Sequence, residues 1–246
     1  MRPTLPSLVF DLDDTLIQTS VTFNHARDCF GMLMASRGVD GQEAIDTLIA
    51  IDLARIEVEG FGRGRFPVSL REAYHVLCAR FGLSADREDA RIAESFGHTV
   101  FTTPPAAFPA THDVLRQLRG EGCRLFLLTK GDYEVQQFRI DGASLRGYFD
   151  AIHIFPKKDL AELQEVLRAN SLPRDNTWVI GDGMRSDINP AMEEGLRAIL
   201  VGDERWIYED VAPTRDTFYR VSHVGEVPRY VLADGTRSPM PWELQA

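Results

Sequence analysis

Apolar residues along this chain come in short unbroken runs that stop abruptly at polar ones. Leu8-Val9-Phe10 stops at Asp11, and Leu125-Phe126-Leu127-Leu128 stops at Thr129-Lys130-Gly131-Asp132. Ile152-His153-Ile154-Phe155 runs into Pro156-Lys157-Lys158, Trp178-Val179-Ile180 into Gly181-Asp182-Gly183, and Ala198-Ile199-Leu200-Val201 into Gly202-Asp203. Runs of this length without alternation suit strands covered on both faces, as in a parallel sheet. Between them the period changes. Val114, Leu115 and Leu118 recur at helical spacing before Gly120 and Gly122, as do Leu160, Leu163, Val166 and Leu167 after Lys158. Strand and helix in alternation predict an α/β sandwich with right-handed crossovers. Ligands of such sheets bind beyond the carboxyl ends of the strands. Asp11, Thr129, Lys158 and Asp182 all fall there.

Residues 19–105 break this rhythm. Phe23, Ala26, Phe30 and Leu33 form one helical stripe, Ile45, Leu48, Ile49 and Ile56 a second, and Leu70, Ala73, Leu77 and Phe81 a third. Ile92 and Phe96 suggest a fourth. The pattern predicts a helical domain over 19–105 inserted into a core domain made of 1–18 and 106–246. Pro104-Pro105 and Pro109 mark the return to the core, because proline discourages helix continuation.

The strand ends carry the candidate chemistry. Asp11 and Asp13 are two apart, so on extended chain they face a common site. One carboxylate can attack phosphorus, splitting a hard displacement into two easier ones. The other can protonate the leaving oxygen and then deprotonate the attacking water. An aspartate turn after a strand would look the same. Asp182 and Asp187, in Gly181-Asp182-Gly183-Met184-Arg185-Ser186-Asp187, add two carboxylates, and with Asp11 they would supply the oxygen ligands that Mg²⁺ prefers. Such a cation would shield Asp11 from the phosphate and stabilise the transferring group. Thr129, with Lys130 and Gly131 after it, is a candidate for holding phosphate oxygens. Lys158 is a candidate for balancing the crowded carboxylates, with Lys157 as its competitor.

In order and spacing these four pieces resemble the haloacid dehalogenase superfamily of hydrolases, over about Leu5 to Val201. Asp11-Leu12-Asp13-Asp14-Thr15 matches the family's D-x-D-x-T in full. The resemblance implies a Rossmann-like parallel sheet with a helical cap inserted after the first motif. It implies Asp11 as nucleophile, Asp13 as acid and base, and Thr129 and Lys158 on the phosphate. Mg²⁺ would be held by Asp11, the backbone carbonyl of Asp13, and Asp182, with Asp187 supporting its water shell or Lys158. Asp159 stands where the commoner form has proline after the lysine, which leaves the choice between Lys157 and Lys158 open. Asp13 argues against a true dehalogenase, since halide leaves without a proton. The expected activity is hydrolysis of a small phosphorylated metabolite through an aspartyl-phosphate. A phosphomutase and a non-catalytic phosphate-binding or partner-binding module are the alternatives.

Composition narrows the partners. A net charge of −10 disfavours nucleic acid and anionic membrane surfaces, though a local site for an anionic metabolite remains compatible with it. No run approaches the ~20 apolar residues of a membrane span, and the first residues lack the apolar core of a secretory signal. Cys29, Cys78 and Cys123 show no metal-type spacing and sit in apolar patterns, which predicts buried thiols and a reducing, cytoplasmic setting. The chain is expected to act as a monomer or homodimer. Gly60-Phe61-Gly62-Arg63-Gly64-Arg65-Phe66-Pro67 reads as a loop in which Arg63 or Arg65 would bind a second anionic group of the substrate. Asn24 and His25 are further candidates for reaching it. The stretch 203–246, with Trp206, Tyr208, Phe218, Tyr219, Tyr230 and Trp242, is expected to pack partly on the core and to end irregularly around Pro239-Met240-Pro241.

Overall fold

The computed structural model describes residues 5–203 and 206–232. Trp242 and Pro239-Met240-Pro241 lie outside the described residues. The strands are β1 (Ser7–Phe10), β2 (Arg124–Lys130), β3 (Ala151–Phe155), β4 (Thr177–Gly181), β5 (Arg197–Val201) and β6 (Tyr219–Val221). The helices are α1 (Thr19–Ser36), α2 (Gly41–Glu59), α3 (Arg65–Arg80), α4 (Arg87–Thr99), α5 (Thr111–Glu121), α6 (Tyr133–Gly142), α7 (Leu160–Ala169), α8 (Asn189–Glu193) and α9 (Pro228–Val231). The six strands form one sheet in the order β3-β2-β1-β4-β5-β6, every neighbouring pair parallel. This is the Rossmann-like strand order, with β1 central.

The unbroken apolar runs follow from the two faces of this sheet. Successive strand residues point to opposite sides. Leu8 and Phe10 therefore pack on one side with Leu125, Leu127, Trp178 and Ile180, beneath Leu115 and Leu118 of α5. Val9 packs on the other with Phe126, Leu128 and Val179, beneath Leu163, Val166 and Leu167 of α7. Both sides are packed over the middle of β1, β2 and β4, so those strands stay apolar until they end. α5 stops at Gly122, whose φ of 95° closes the helix in a left-handed conformation that favours glycine. β6 has no apolar run, because only Tyr219 and Val221 of its three residues are buried and Arg220 is exposed.

The chain divides into two compact units. One comprises 1–18, 106–130 and 140–246, and the other Thr19–Pro105 together with Gly131–Arg139. The short stretch 131–139 thus goes with the helices, although the sequence pattern assigns it to the sheet. Arg63 shows part of the reason: its Nη1 donates to Glu134 Oε2 at 3.0 Å and its Nε lies 3.9 Å from Asp132 Oδ2. In this unit α1 to α4 enclose a core of Ala26, Phe30, Met34, Leu48, Phe66, Leu70, Leu77 and Ala93. Asp40 caps α2 by accepting the Glu43 N–H at 2.9 Å, and Asp86 caps α4 by accepting from Glu88 and Asp89.

The chain enters and leaves this helical insertion through two segments of the sheet unit that lie side by side. The Gln18 N–H donates to Ala106 O at 2.8 Å, and the Phe108 N–H donates to Leu16 O at 3.0 Å. Thr111 Oγ1 adds a third bond to Leu16 O at 2.8 Å. Cys78 and Cys123 are buried, Cys29 is half-buried, and all three are free thiols. Among the described residues, no helix is long and apolar enough to cross a membrane.

Candidate active site

The site is built where β1 and β4 end together. The Asp11 N–H donates to Ile180 O at 2.9 Å, extending the β1–β4 pairing by one residue and setting Asp11 beside Gly181 and Asp182. The chain then makes one wide turn, in which the N–H groups of Leu16 and Ile17 both donate to Leu12 O, at 2.9 and 3.1 Å. Asp14, at φ 57°, bends the backbone for it. The turn carries Thr15 inward, fully buried, where Oγ1 accepts the Asp182 N–H at 3.0 Å and donates to Asp182 Oδ1 at 3.2 Å. The threonine of the first motif therefore holds the aspartate of the last.

Beyond β4 the chain forms a π-type turn, Met184–Ile188, with the Asp187 and Ile188 N–H groups both on Gly183 O. This wide turn folds Asp187 back over the strand end. A Cβ at Gly181 would lie 2.2 Å from Asp187 Cγ, and one at Gly183 would lie 2.8 Å from Asp187 Oδ2. Both glycines are thus spatial requirements of the carboxylate folded over them. Asp187 Oδ2 accepts the Gly183 N–H at 3.0 Å.

Lys158 enters from the β3 side. Its Nζ lies 2.5 Å from Asp11 Oδ1 and 2.5 Å from Asp187 Oδ1, with the lysine 6% exposed. Lys157 points away, exposed, pairing with Asp159 at 2.8 Å and Glu162 at 3.7 Å. Asp159 has its own task. Its carboxylate accepts the Ala161 N–H at 2.9 Å, and Glu162 returns a bond to the Asp159 N–H at 3.1 Å, a capping box that starts α7 directly after Lys158. The residue replacing proline thus anchors the loop that aims the lysine.

Asp11, Asp182 and Asp187 each present one carboxylate oxygen, and these lie within 4.8 Å of one another. Lys158 pairs with two of them, Asp11 and Asp187. Burial pushes Asp11 up to about 7, Lys158 opposes this, and the charges of Asp187 and Asp13 add to it. Burial also raises Asp182 well above the usual carboxylate range, and Asp11 and Asp187 raise it further. Burial works against the Lys158 charge, but Asp11 and Asp187 more than offset it and raise the lysine above its ordinary value. Asp187 Oδ1, though beside the ammonium, lacks a well-directed hydrogen bond. A largely buried cluster of oxygens with surplus negative charge fits a hard divalent cation.

Thr129 is buried at the end of β2, and Asp13 is half-buried just past Asp11. Lys130, expected on substrate, instead pairs with Glu209, and its Nζ donates to Ser186 Oγ at 3.0 Å. Gly131 adopts φ 137° and belongs to the helical unit, its backbone against the Gln136 side chain. Arg65 corrects an expectation. It opens α3 and is buried, pairing with Asp52, while Ser69 Oγ donates to Asp52 Oδ1 at 2.8 Å. Its guanidinium is committed inside the helical unit and cannot bind a substrate anion. Arg63 remains more than half exposed in its pairing with Asp132 and Glu134. Asn24 and His25 are exposed on α1, Asn24 accepting from Arg27 at 2.9 Å and His25 lying 3.7 Å from Cys29 Sγ. Glu209, 3% exposed, went unnoticed in the sequence because nothing around it has a motif.

A parallel sheet carrying an aspartate–lysine–aspartate cluster at its central strand ends defines an α/β enzyme. Residues 6–193 match the family model for the haloacid dehalogenase-like hydrolases, and the chain belongs to that family. No curated protein sequence matches it significantly. Among solved structures it is similar to a haloacid dehalogenase-like family hydrolase from Xanthomonas campestris, at TM-score 0.75 and 20% identity over 93% of this chain and 95% of the other. It is also similar to the putative hydrolase YfnB from Bacillus subtilis, described as bound to magnesium, at TM-score 0.62 and 18% identity over 94% and 99%. The L-2-haloacid dehalogenase of Xanthobacter autotrophicus, with chloropropionic acid covalently bound, aligns at TM-score 0.58 and 15% identity over 94% and 100%. At these identities the likeness concerns the fold.

Proposed function

We propose that the protein is a magnesium-dependent phosphomonoester hydrolase that acts on a small phosphorylated metabolite through an aspartyl-phosphate on Asp11. The observation that carries this reading is the surplus of carboxylates: Asp11, Asp182 and Asp187 lie within 4.8 Å of one another, with Lys158 paired, of the three, to Asp11 and Asp187. Two negative charges beside an anionic substrate would repel it unless a cation intervened. Magnesium would be held by Asp11, the Asp13 carbonyl and Asp182, and when bound it neutralises charge on the phosphoryl group. Magnesium bound to the structurally similar YfnB is in keeping with this.

The steps then fall to named residues. A carboxylate oxygen of Asp11 attacks phosphorus, and the bond to the leaving oxygen breaks as Asp13, protonated, gives that oxygen its proton. The alcohol departs. Asp13, now a carboxylate, takes a proton from water, whose oxygen attacks the aspartyl-phosphate and releases inorganic phosphate and Asp11. Lys158 holds the ionised Asp11 in line and faces the transferring oxygens, and Thr129 completes the phosphate contacts.

A dehalogenase is the second reading, favoured by structural neighbours that carry that name, among them the Xanthobacter autotrophicus enzyme and the L-2-haloacid dehalogenase RSc1362. It would use Asp11 on carbon and release halide, leaving Asp13 and the surplus charge without a task. The deciding experiment assays phosphorylated metabolites with Mg²⁺ and 2-haloacids without it, each against Asp11→Asn. Phosphate release lost on chelation and in Asp11→Asn is the expected result. Halide release that survives chelation would overturn the reading, and interconversion of sugar phosphates with little free phosphate would replace it with a mutase.

A further inference from the structure

Glu209 places a second buried charge next to the acid cluster, and its partners lie on both sides of Asp11. Its Oε2 accepts the Ser186 N–H at 3.0 Å and the Ser186 hydroxyl at 2.9 Å, while Oε1 pairs with Lys130. Lys130 also donates to Ser186 Oγ at 3.0 Å, which closes a triangle. Lys130 is the last residue of β2, and Ser186 sits on the turn after β4. β2 and β4 flank β1, so their ends are two strand spacings apart, roughly 9–10 Å. Glu209, from the segment after β5, bridges that gap, with Lys130 at one end and Ser186 at the other.

Two consequences follow for the cluster. Ser186 immediately precedes Asp187, so bonds to its N–H and hydroxyl fix the turn that aims the Asp187 carboxylate at Lys158. The space is tight enough that a Cβ at Gly183 would lie 2.6 Å from Glu209 Oε2. Glu209 also occupies the Lys130 ammonium, whose side chain is 17% exposed. An ammonium released there, already bonded to Ser186 next to Asp187, would be drawn to the carboxylate cluster and compete with any metal for it.

We propose that Glu209 is a positioning residue that ties the ends of β2 and β4 together and raises the affinity of the carboxylate cluster for a divalent cation, chiefly by holding Lys130 away from it. This inference rests on the magnesium reading above. Buried partners of metal-site residues typically contribute 10–100-fold to metal affinity, so Glu209→Gln, which keeps an acceptor for Ser186 but gives up the charge, should weaken Mg²⁺ binding about 10-fold. Adding Lys130→Met to Glu209→Gln should restore most of that loss, because the competing ammonium is gone. A purely structural role for Glu209 predicts the opposite, a double variant at least as impaired as the single one.

The test is calorimetric titration of Mg²⁺ into wild type, Glu209→Gln and Glu209→Gln/Lys130→Met, with Asp182→Asn as the site control. Thermal melts of the metal-free proteins accompany the titrations, and the double variant decides the matter if Glu209→Gln alone melts early. Weakened binding restored in the double variant is expected. Wild-type affinity in Glu209→Gln, or no recovery in the double variant, overturns the role of Glu209 and leaves the magnesium reading standing. A wild-type protein that binds no Mg²⁺ overturns the magnesium reading itself.

Discussion

Each unit of the protein buries carboxylates, and the two do so in opposite ways. In the helical unit Asp52 meets Arg65 and Ser69, one negative charge against one positive with a hydroxyl to fill a remaining acceptor position. In the sheet unit three aspartates crowd together, only two of them paired with Lys158, and the charges do not balance. The first arrangement is complete without any further group. The second leaves negative charge uncompensated, and burial together with mutual repulsion raises Asp11 and Asp182. Burial of charge alone is therefore a poor guide to function, whereas burial of unbalanced charge is a good one.

The sharpest way to break the comparison is to remove one carboxylate on each side. Asp11→Asn should lower phosphate release by about 10⁴-fold or more, the scale on which enzymes lose rate without their nucleophile, measured by steady-state assay. Asp52→Ala leaves the Arg65 guanidinium buried without its counter-charge and should cost about 3–5 kcal/mol, read from the denaturant midpoint. Joint replacement of Asp52 and Arg65 by apolar residues should recover much of that stability, because no unpaired charge is left.

Steric and pH changes probe the unbalanced side more finely. Gly181→Ala drives a Cβ into Asp187, and overpacking of this kind costs about 1–3 kcal/mol, with weaker Mg²⁺ binding in calorimetry. In chelator-treated protein, the raised pKa of Asp11 and Asp182 makes the folded state bind protons more tightly than the unfolded chain does. Their stabilising contribution is complete below the ordinary carboxylate range and disappears as pH rises, through about 7 for Asp11. Wild-type denaturant midpoints should therefore fall between about pH 4 and 7, less so in Asp182→Asn, and recover with Mg²⁺. The smallest expected effect is at Lys157, exposed and paired only at the surface, where replacement by Met should leave activity and melting unchanged. The same change at Lys158 should abolish activity.

The sequence made the central sheet legible because β1, β2, β4 and most of β5 are buried on both faces and stand out as apolar runs, while the half-buried edge strand β3 still reads as apolar around His153. β6 escaped notice because alternation over three residues, with Arg220 exposed between Tyr219 and Val221, carries almost no signal. Asp11, Asp182, Asp187 and Lys158 could be picked out because each follows a strand, and strand ends in a parallel sheet converge. Arg65 was misread for a local reason. Three glycines before it suggest a loop running through Pro67, but proline is tolerated in a first helical turn, where its missing N–H is not needed, and α3 already begins at Arg65. Lys130 and Glu209 were illegible as a pair because 79 residues separate them and only the fold brings them together.

The paired segments at Leu16–Gln18 and Ala106–Phe108 bear on how such a chain can change over generations. Their bonds hold the two ends of the insertion together whatever lies between them. Doubling the length of an inserted stretch whose ends are already pinned adds only about 0.6 kcal/mol of closure entropy. The helical unit can therefore be lengthened, shortened or exchanged for another at little cost to the sheet. The carboxylate cluster, which lies wholly in the sheet unit, is left unaltered by such changes.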